Sequence, residues 1–510
     1  MKIPKFKIGQ PKFDTTILLA VVLVLINVIS SNLFSRMDFT KQKIFSLIEV
    51  SKNVVGNLDD KLTVNAYFSD DLPGPYATTA KYTKDLLGEY KAASKGNFQF
   101  QFIDPKNEQE LKTKAEANGI FPVQLQALKD DKFEVRNAYM GLSISYKGKS
   151  LVIPVVQSTR GLEYSITSKI MTLSSQDFDK ISIMNQSGAF ATLQQRISEN
   201  YEIRETDLNT PIAESKILIL NAITDTLSEV QLKNLDRFLM DRGRAIFLLN
   251  KYSADVNNGR ATLAKTNIFA ALEKYGIKIK NNLLKDAESS FISVLQQRGP
   301  FTFEVPVQYP YLVQIHRFGK ENIIVKNIEE ISTAFVSEID YANLPSGLNF
   351  TPLMFTSPNS QAESGVNINV SYTSFINVDL KSILTDSSRT IAGLYEGKLT
   401  SAYEPSSSNS QASILLITDA NLIMDNAGAR IPTNIDLIQN AVDYLSGKSE
   451  IINLRSREVE YRPLKEVSNG LKRLVKWVNV LLPTLLLLLY GLYIYRRILQ
   501  YRRMLRFKYE

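Results

Sequence analysis

WVNVLLPTLLLLLYGLYIY, residues 477–495, is the stretch whose reading decides the architecture of this 510-residue chain. Its nineteen residues carry no charge. At ~1.5 Å per residue such a helix is long enough to cross a hydrocarbon core of ~30 Å. Trp477 at one end and Tyr493 and Tyr495 at the other stand where interfacial aromatics stand. Arg496, Arg497, Arg502, Arg503, Arg506 and Lys508 follow the aromatic end. A buried core helix is the rival reading, but core helices are seldom apolar on every face over this length. Pro483 is placed to kink the helix in its first third. The rest of the chain is therefore read as something held to a membrane.

The other terminus repeats the plan. Lys2, Lys5, Lys7 and Lys12 precede TTILLAVVLVLINVISSNLF, residues 15–34, again without a charge. A secretory signal peptide is the alternative, since a basic region and an apolar region are both present. The length of the run and the lack of a following A-x-A-like site favour an uncleaved anchor. Two spans put both tails on one side and residues 35 to about 473 on the other. Ten basic residues in the tails, against eight on the inner flanks, favour cytoplasmic tails, because short basic tails resist translocation while long domains cross regardless of charge.

The net charge of +8 fits this plan rather than nucleic-acid binding. Residues 1–14 contribute +3 and residues 496–510 contribute +5, so residues 15–495 are formally neutral and hold no basic groove for phosphates. There is no cysteine, which removes disulfides, thiolate chemistry, Cys-ligated zinc and lipidation on Cys. His316 is the only histidine, so Ser-His or Cys-His catalysis and His-rich metal sites have almost nothing to build on. It sits in an alternating strand pattern and reads as structural or exposed. Carboxylate-only chemistry such as glycoside hydrolysis stays open, because pairing in space does not show in a sequence.

Between the spans, residues 35–176 read strand, helix, strand, helix, several strands, helix, the order of a thioredoxin-like α/β domain. LTVNAYF at 62–68 and FQFQF at 98–102 are its first strands, Pro73-Gly74-Pro75 is read as a chain break, and helices are expected over 78–93 and 160–173. Without cysteine it cannot do thioredoxin chemistry. Residues 177–460 read as a flavodoxin-like, doubly wound domain. The runs at 180–185, 216–221, 245–250 and 413–418 are short and almost continuously apolar, as strands buried on both faces are. Ser228 and Gln231 form a capping box opening a helix that Gly243 ends. Residues 291–411 turn β-rich and are read as an insertion, with a separate small domain as the alternative. Residues 461–476 form a linker.

Gly148-Lys149-Ser150 and Gly447-Lys448-Ser449 look like ends of a phosphate-binding loop, but Ser143 and Val442 occupy the place of the leading glycine. No nucleotide site, and no cofactor, is expected. Asp419 and Asp425 follow a buried strand, where ligand groups of α/β sheets usually stand, although capping and turn formation explain them more simply.

Several segments together resemble the gliding-motility-associated GldG family: Asp38-Phe39-Thr40 through Phe45-Ser46-Leu47, NAYFSDDLP at 65–73, FIDP at 102–105, EYSITSKI at 163–170, FTPLMFTSPNS at 350–360, AGLYEGKLTSAY at 392–403 and ITDANLIMD at 417–425. Thr418 departs from the glycine often found before the aspartate in that family. The resemblance implies a non-enzymatic, membrane-anchored accessory subunit of an ABC transporter. It also implies a multi-span permease and a cytoplasmic ATPase as partners, and a bacterial inner membrane with the large part periplasmic. It carries over no catalytic residue. A membrane-anchored envelope enzyme or carbohydrate-binding protein is the alternative. Asn479, Pro483 and Gly491 are the residues through which the second span would dock on partner helices, since polar and small side chains gather where membrane helices pack.

Overall fold

The computed structural model describes residues 22, 46–106, 108–129, 132–159, 161–174, 179–298, 300–404, 407–456 and 469–509. They fall into two units divided at residues 459 and 460.

The first unit opens with α1 (Glu49–Gly56), β1 (Leu62–Phe68), α2 (Gly74–Ala93), β2 (Phe98–Ile103), α3 (Gln109–Ala117), the hairpin β3 (Val123–Lys129) and β4 (Lys132–Ala138), β5 (Met140–Tyr146), β6 (Lys149–Ile153) and α4 (Leu162–Ser174). Its sheet runs β2-β1-β5-β6, with β1 parallel to β2 and antiparallel to β5. Leu62, Val64 and Ala66 alternate into a core shared with Leu87, Tyr90 and Phe98. Pro73-Gly74-Pro75 opens α2 instead of breaking the chain. Proline is at ease in a first turn, where its missing N–H has no helical partner to lose. Gly148 serves a turn: Lys147 and Gly148, at φ 47° and 77°, join β5 to β6 with the two left-handed residues that a type I′ hairpin requires.

The larger sheet is built from β7 (Lys180–Asn185), α5 (Ala191–Ser198), β8 (Glu202–Glu205), β9 (Ile217–Asn221), α6 (Glu229–Asp241), β10 (Arg244–Leu248), α7 (Ile268–Glu273), β11 (Arg317–Phe318), β12 (Leu348–Phe355), β13 (Thr390–Thr400), β14 (Ser408–Ile417), α8 (Pro432–Leu445) and α9 (Ser449–Ser456). Its order is β11-β12-β13-β14-β10-β9-β7-β8. The strands from β8 to β14 are parallel and, counted along the chain, lie in the doubly wound order 2-1-3-4-5. Ile217 and Ile219 pack with Leu193 of α5 and Ile438 of α8. Leu218 and Leu220 pack on the other side with Leu235 of α6 and Leu272 of α7. Burial on both faces is why ILIL shows no alternation. The Ser228–Gln231 capping box is present in full, and Gly243 takes a left-handed φ of 64° just past the end of α6.

The stretch over 291–411 is rich in strands, but much of it is no separate body. β12 and β13 pair antiparallel onto β14 and extend the main sheet. The shorter strands enclose an aromatic core that includes Tyr309, Tyr311, Phe335 and Phe375. The two sheets meet where Tyr164 of α4 packs on Ile451 and Leu454 of α9.

The second unit contains α10 (Asn469–Tyr509), a helix of 41 residues that continues through Pro483. Among the described residues no helix is long and apolar enough to cross a membrane. The two flanking membrane helices expected from sequence are therefore unsupported by them. Residues 15–34 lie outside the description apart from Val22, and the side chains at 477, 480 and 483–485 lie outside it within α10. The longest fully described run of that helix, 486–500, already takes in Arg496 and Arg497.

Candidate ligand-binding crevice

A cavity of about 440 Å³ opens over the carboxyl edge of the parallel strands. Ser187 follows β7, Ala222, Ile223 and Thr224 follow β9, Asn250 follows β10, and Ala420, Asn421 and Met424 follow β14. Open α/β sheets bind ligands at this edge, where strand order reverses and loops part to opposite faces. The reversal here lies between β7 and β9. The far wall comes from the stretch after β10, with Tyr252, Ala254 and Ala264, and from the insertion, with Leu312, Ala334 and Phe335.

Side-chain amides and one buried carboxylate fix the loops. Gln186 Oε1 accepts the backbone N–H groups of Thr224 and Asp225 at 2.9 and 3.0 Å. Asn221 Nδ2 donates to Asn185 Oδ1 at 2.8 Å, while its own Oδ1 is buried without a partner. Asn250 Nδ2 donates to the carbonyls of Ala334 and Phe335 at 3.0 and 2.9 Å, and its Oδ1 accepts Ala420 N–H at 2.8 Å. Asp419 accepts Ala334 N–H at 2.9 Å and Asn421 N–H at 2.8 Å. The insertion is thus tied to the loop after β14 by two side chains. Two lining residues that are not glycine, Ala222 and Phe335, hold left-handed backbones at φ 51° and 54°. Each such residue costs on the order of 1–3 kcal/mol and persists only where its surroundings fix it.

Asp425 does what capping would ask of it. Its carboxylate accepts Ala191 and Thr192 N–H at 2.7 and 3.0 Å, closing the start of α5 from across the sheet, and these bonds hold its pKa low. Asp419 is the opposite case: burial raises its carboxyl to about 6, against the hydrogen bonds from Ala334 and Asn421. The sign follows from linkage. A folded-state pKa above the unfolded 3.8 gives a stability contribution that is full below 3.8 and lost as pH rises through 6. Wild type should therefore lose up to about 3 kcal/mol relative to Asp419→Asn between roughly pH 4 and pH 7, at about 1.4 kcal/mol per unit. Urea unfolding of both proteins across that range checks this, and parallel stability curves would refute it.

The residues singled out from sequence for docking all lie on α10. Asn479, Gly491, Arg496 and Arg497 are exposed, and an added Cβ at Gly491 would meet nothing within 4 Å. The side chains of Trp477 and Pro483 lie outside the description. At ~100° per residue, positions 479, 483 and 491 fall within an arc of about 120° of the helix. His316 is exposed, and among the described residues no cluster of three or more His, Asp or Glu side chains could hold a metal ion. Sequence reasoning pointed to the loop after β14 but missed Asn250, Ala222 and Phe335, whose types announce no chemistry. The positive φ of a non-glycine residue is a signal only the backbone gives.

More than half of the chain, residues 168–447, matches the family described as an ABC-type uncharacterized transport system, and the chain belongs to that family of ABC transporter auxiliary proteins. Residues 41–145 match a second family, described as a domain of unknown function. A Borreliella burgdorferi protein described only as uncharacterized is 24% identical over 503 residues, covering 93% of this chain and 96% of that one. Among solved structures, the chain is similar to the mmIFT52 N-terminal domain at 12% identity and a TM-score of 0.32, over 52% of this chain and 97% of that one. A putative ThuA-like protein from Parabacteroides merdae is similar at 10% identity and a TM-score of 0.29, over 53% and 91%. At these scores neither likeness assigns a fold or a function.

Proposed function

We propose that the chain is a membrane-held, non-enzymatic auxiliary subunit of an ABC transport system. It works beside a multi-span permease and a cytoplasmic ATPase encoded elsewhere, with residues 46–456 on the periplasmic side of a bacterial inner membrane. Kinship with the gliding-motility GldG proteins, and a thioredoxin-like character for the β2-β1-β5-β6 sheet, belong to the same reading. The observation that carries it is the uncharged run of α10 joined to a transport-family chain. Leu486, Leu487, Leu488 and Leu489 are all more than half exposed, so successive faces of the helix offer leucine to their surroundings. A helix apolar all round calls for lipid or for other helices. Asn479, Pro483 and Gly491 supply the polar and small positions that helix packing in lipid uses, and the basic residues from Arg496 onward suit a cytoplasmic tail.

Affinity purification of the full chain from membranes, followed by mass spectrometry, is expected to recover a multi-span permease and an ATPase in near-stoichiometric amounts. Gly491→Leu is expected to reduce that recovery several-fold while the variant stays in the membrane fraction, because leucine partitions into lipid better than glycine. A chain that purifies alone at full yield, or that leaves the membrane in carbonate washes, would overturn the auxiliary-subunit reading.

A further inference from the structure

We infer that the crevice is a binding site for an uncharged organic ligand that combines an apolar body with hydroxyl or amide groups. The inference goes beyond the transporter reading and stands without it. Its volume, about 440 Å³, falls within the range typical of small-molecule sites. None of the lining residues carries a charge. Three charged side chains beside it are turned to other tasks. Lys251, next to Asn250, places its Nζ 4.2 Å from the centre of the Phe269 ring. Asp419 is engaged by Ala334 and Asn421, and Asp425 by α5. An ion entering here would lose its hydration shell and meet no countercharge, which selects against nucleotides and other anions.

What the lining does offer is matched to a neutral guest. Six alanines, Ala222, Ala254, Ala264, Ala334, Ala420 and Ala427, leave the space that larger side chains would fill. Phe335, Leu312 and Met424 give apolar contact, and the hydroxyls of Ser187, Thr224 and Ser253 stand ready to exchange hydrogen bonds. The Asn250 amide is spent on the loops, so it shapes the wall and leaves recognition to the others. Two left-handed non-glycine residues, one on each side of the crevice, show that this shape is imposed on the backbone rather than left over by it.

The test uses the full chain in detergent and two matched probe pairs followed by titration calorimetry. Phenyl β-glucoside and N-acetyl-phenylalaninamide are neutral, and phenyl phosphate and N-acetyl-phenylalanine are their anionic counterparts. At least one neutral probe is expected to saturate with a Kd below about 1 mM and its anionic counterpart to bind at least about tenfold more weakly. Ala254→Phe fills the cavity, and Thr224→Lys adds bulk and charge at an exposed rim position where folding is not at risk. Each is expected to weaken the neutral probe about tenfold or more, roughly 1.4 kcal/mol, with the melting temperature of Thr224→Lys unchanged. Failure of both neutral probes to saturate at about 10 mM, equal affinity for the anionic counterparts, or affinity unmoved by Thr224→Lys would each overturn the assignment. Permease recovery from the same preparations reports on the transporter reading separately, so either can fail alone.

Discussion

Replacing Arg455 with alanine is expected to lower the stability of the first unit by about 3–5 kcal/mol, the range for removing one partner of a buried ion pair. Arg455 Nη2 lies 2.5 Å from Asp443 Oδ2 and donates to Tyr164 Oη at 2.6 Å, and its guanidinium sits 4.5 Å from the centre of the Tyr164 ring. Tyr201 Oη donates to the other Asp443 oxygen at 2.7 Å. Asp443 is almost fully buried, and burial pushes its carboxyl up while Arg455 pulls it down. Without the guanidinium the carboxylate must either stay charged and unpaired or take up a proton, and either route costs free energy. The pair also fastens α9 to α8 and, through Tyr164, to α4, so the loss should loosen the junction between the two sheets. Removing both charges with Arg455→Leu and Asp443→Leu is expected to restore most of the stability, since a well-packed apolar pair often matches a buried ion pair. Urea unfolding of the single and double variants measures this. A single-variant loss under about 1 kcal/mol would place the pair with ordinary surface bridges.

The second large effect is expected at Asp236, on the inner side of α6. Its carboxylate accepts Tyr275 Oη–H at 2.6 Å, Ser401 Oγ–H at 2.7 Å and Ala402 N–H at 2.9 Å. The three donors come from the end of α7 and from the turn after β13, so one side chain holds three segments on the same face of the sheet. Asp236→Ala strands buried donors, each worth about 1.5–3 kcal/mol when bonded to a charged acceptor, and is expected to cost about 3–5 kcal/mol once relaxation is allowed for. Asp236→Asn keeps an acceptor for Tyr275 and Ala402 and loses only the bond from Ser401, whose oxygen already accepts Tyr403 and Glu404 N–H, so its cost should be smaller, about 1–2 kcal/mol. Thermal unfolding of the two variants separates these outcomes, and equal losses would mean that packing rather than hydrogen bonding matters at this position.

The parts of the fold that could be read from sequence are those whose cause is local. ILIL at 217–220 declares a strand buried on both faces, and Ser228 with Gln231 and Gly243 mark the ends of α6 through bonds spanning only a few residues. Pro73-Gly74-Pro75 misleads as a chain break, because the same residues that stop one element also start another. The role of β12 and β13 was out of reach for a different reason. Their composition says strand, but nothing in it says that β13 lies against β14 and continues the main sheet. The crevice escaped for the same cause: Asn250, Ala222, Phe335 and Asn421 come from separate segments, and no residue type among them is a chemical signature. Asp419 and Asp425 both follow a buried strand, as the sequence suggests, but only the hydrogen bonds separate the buried turn residue from the half-buried cap.

The pairing of β10 with β14 bears on how the molecule is made. About 160 residues separate Leu248 from Ser408, and until the later strand arrives the open side of β10 has no neighbour. β10 is apolar on both faces, and an unpaired apolar edge held for that long is a template for pairing with the wrong chain. Contacts so distant along the chain also make closure slow, because the entropy of the loop must be spent before the pairing rewards it. Synthesis delivers the insertion before β14, so β12 and β13 are available to meet it as a preformed hairpin-like edge. Deletions within the insertion are therefore expected to be felt first as lost folding yield rather than as lost binding.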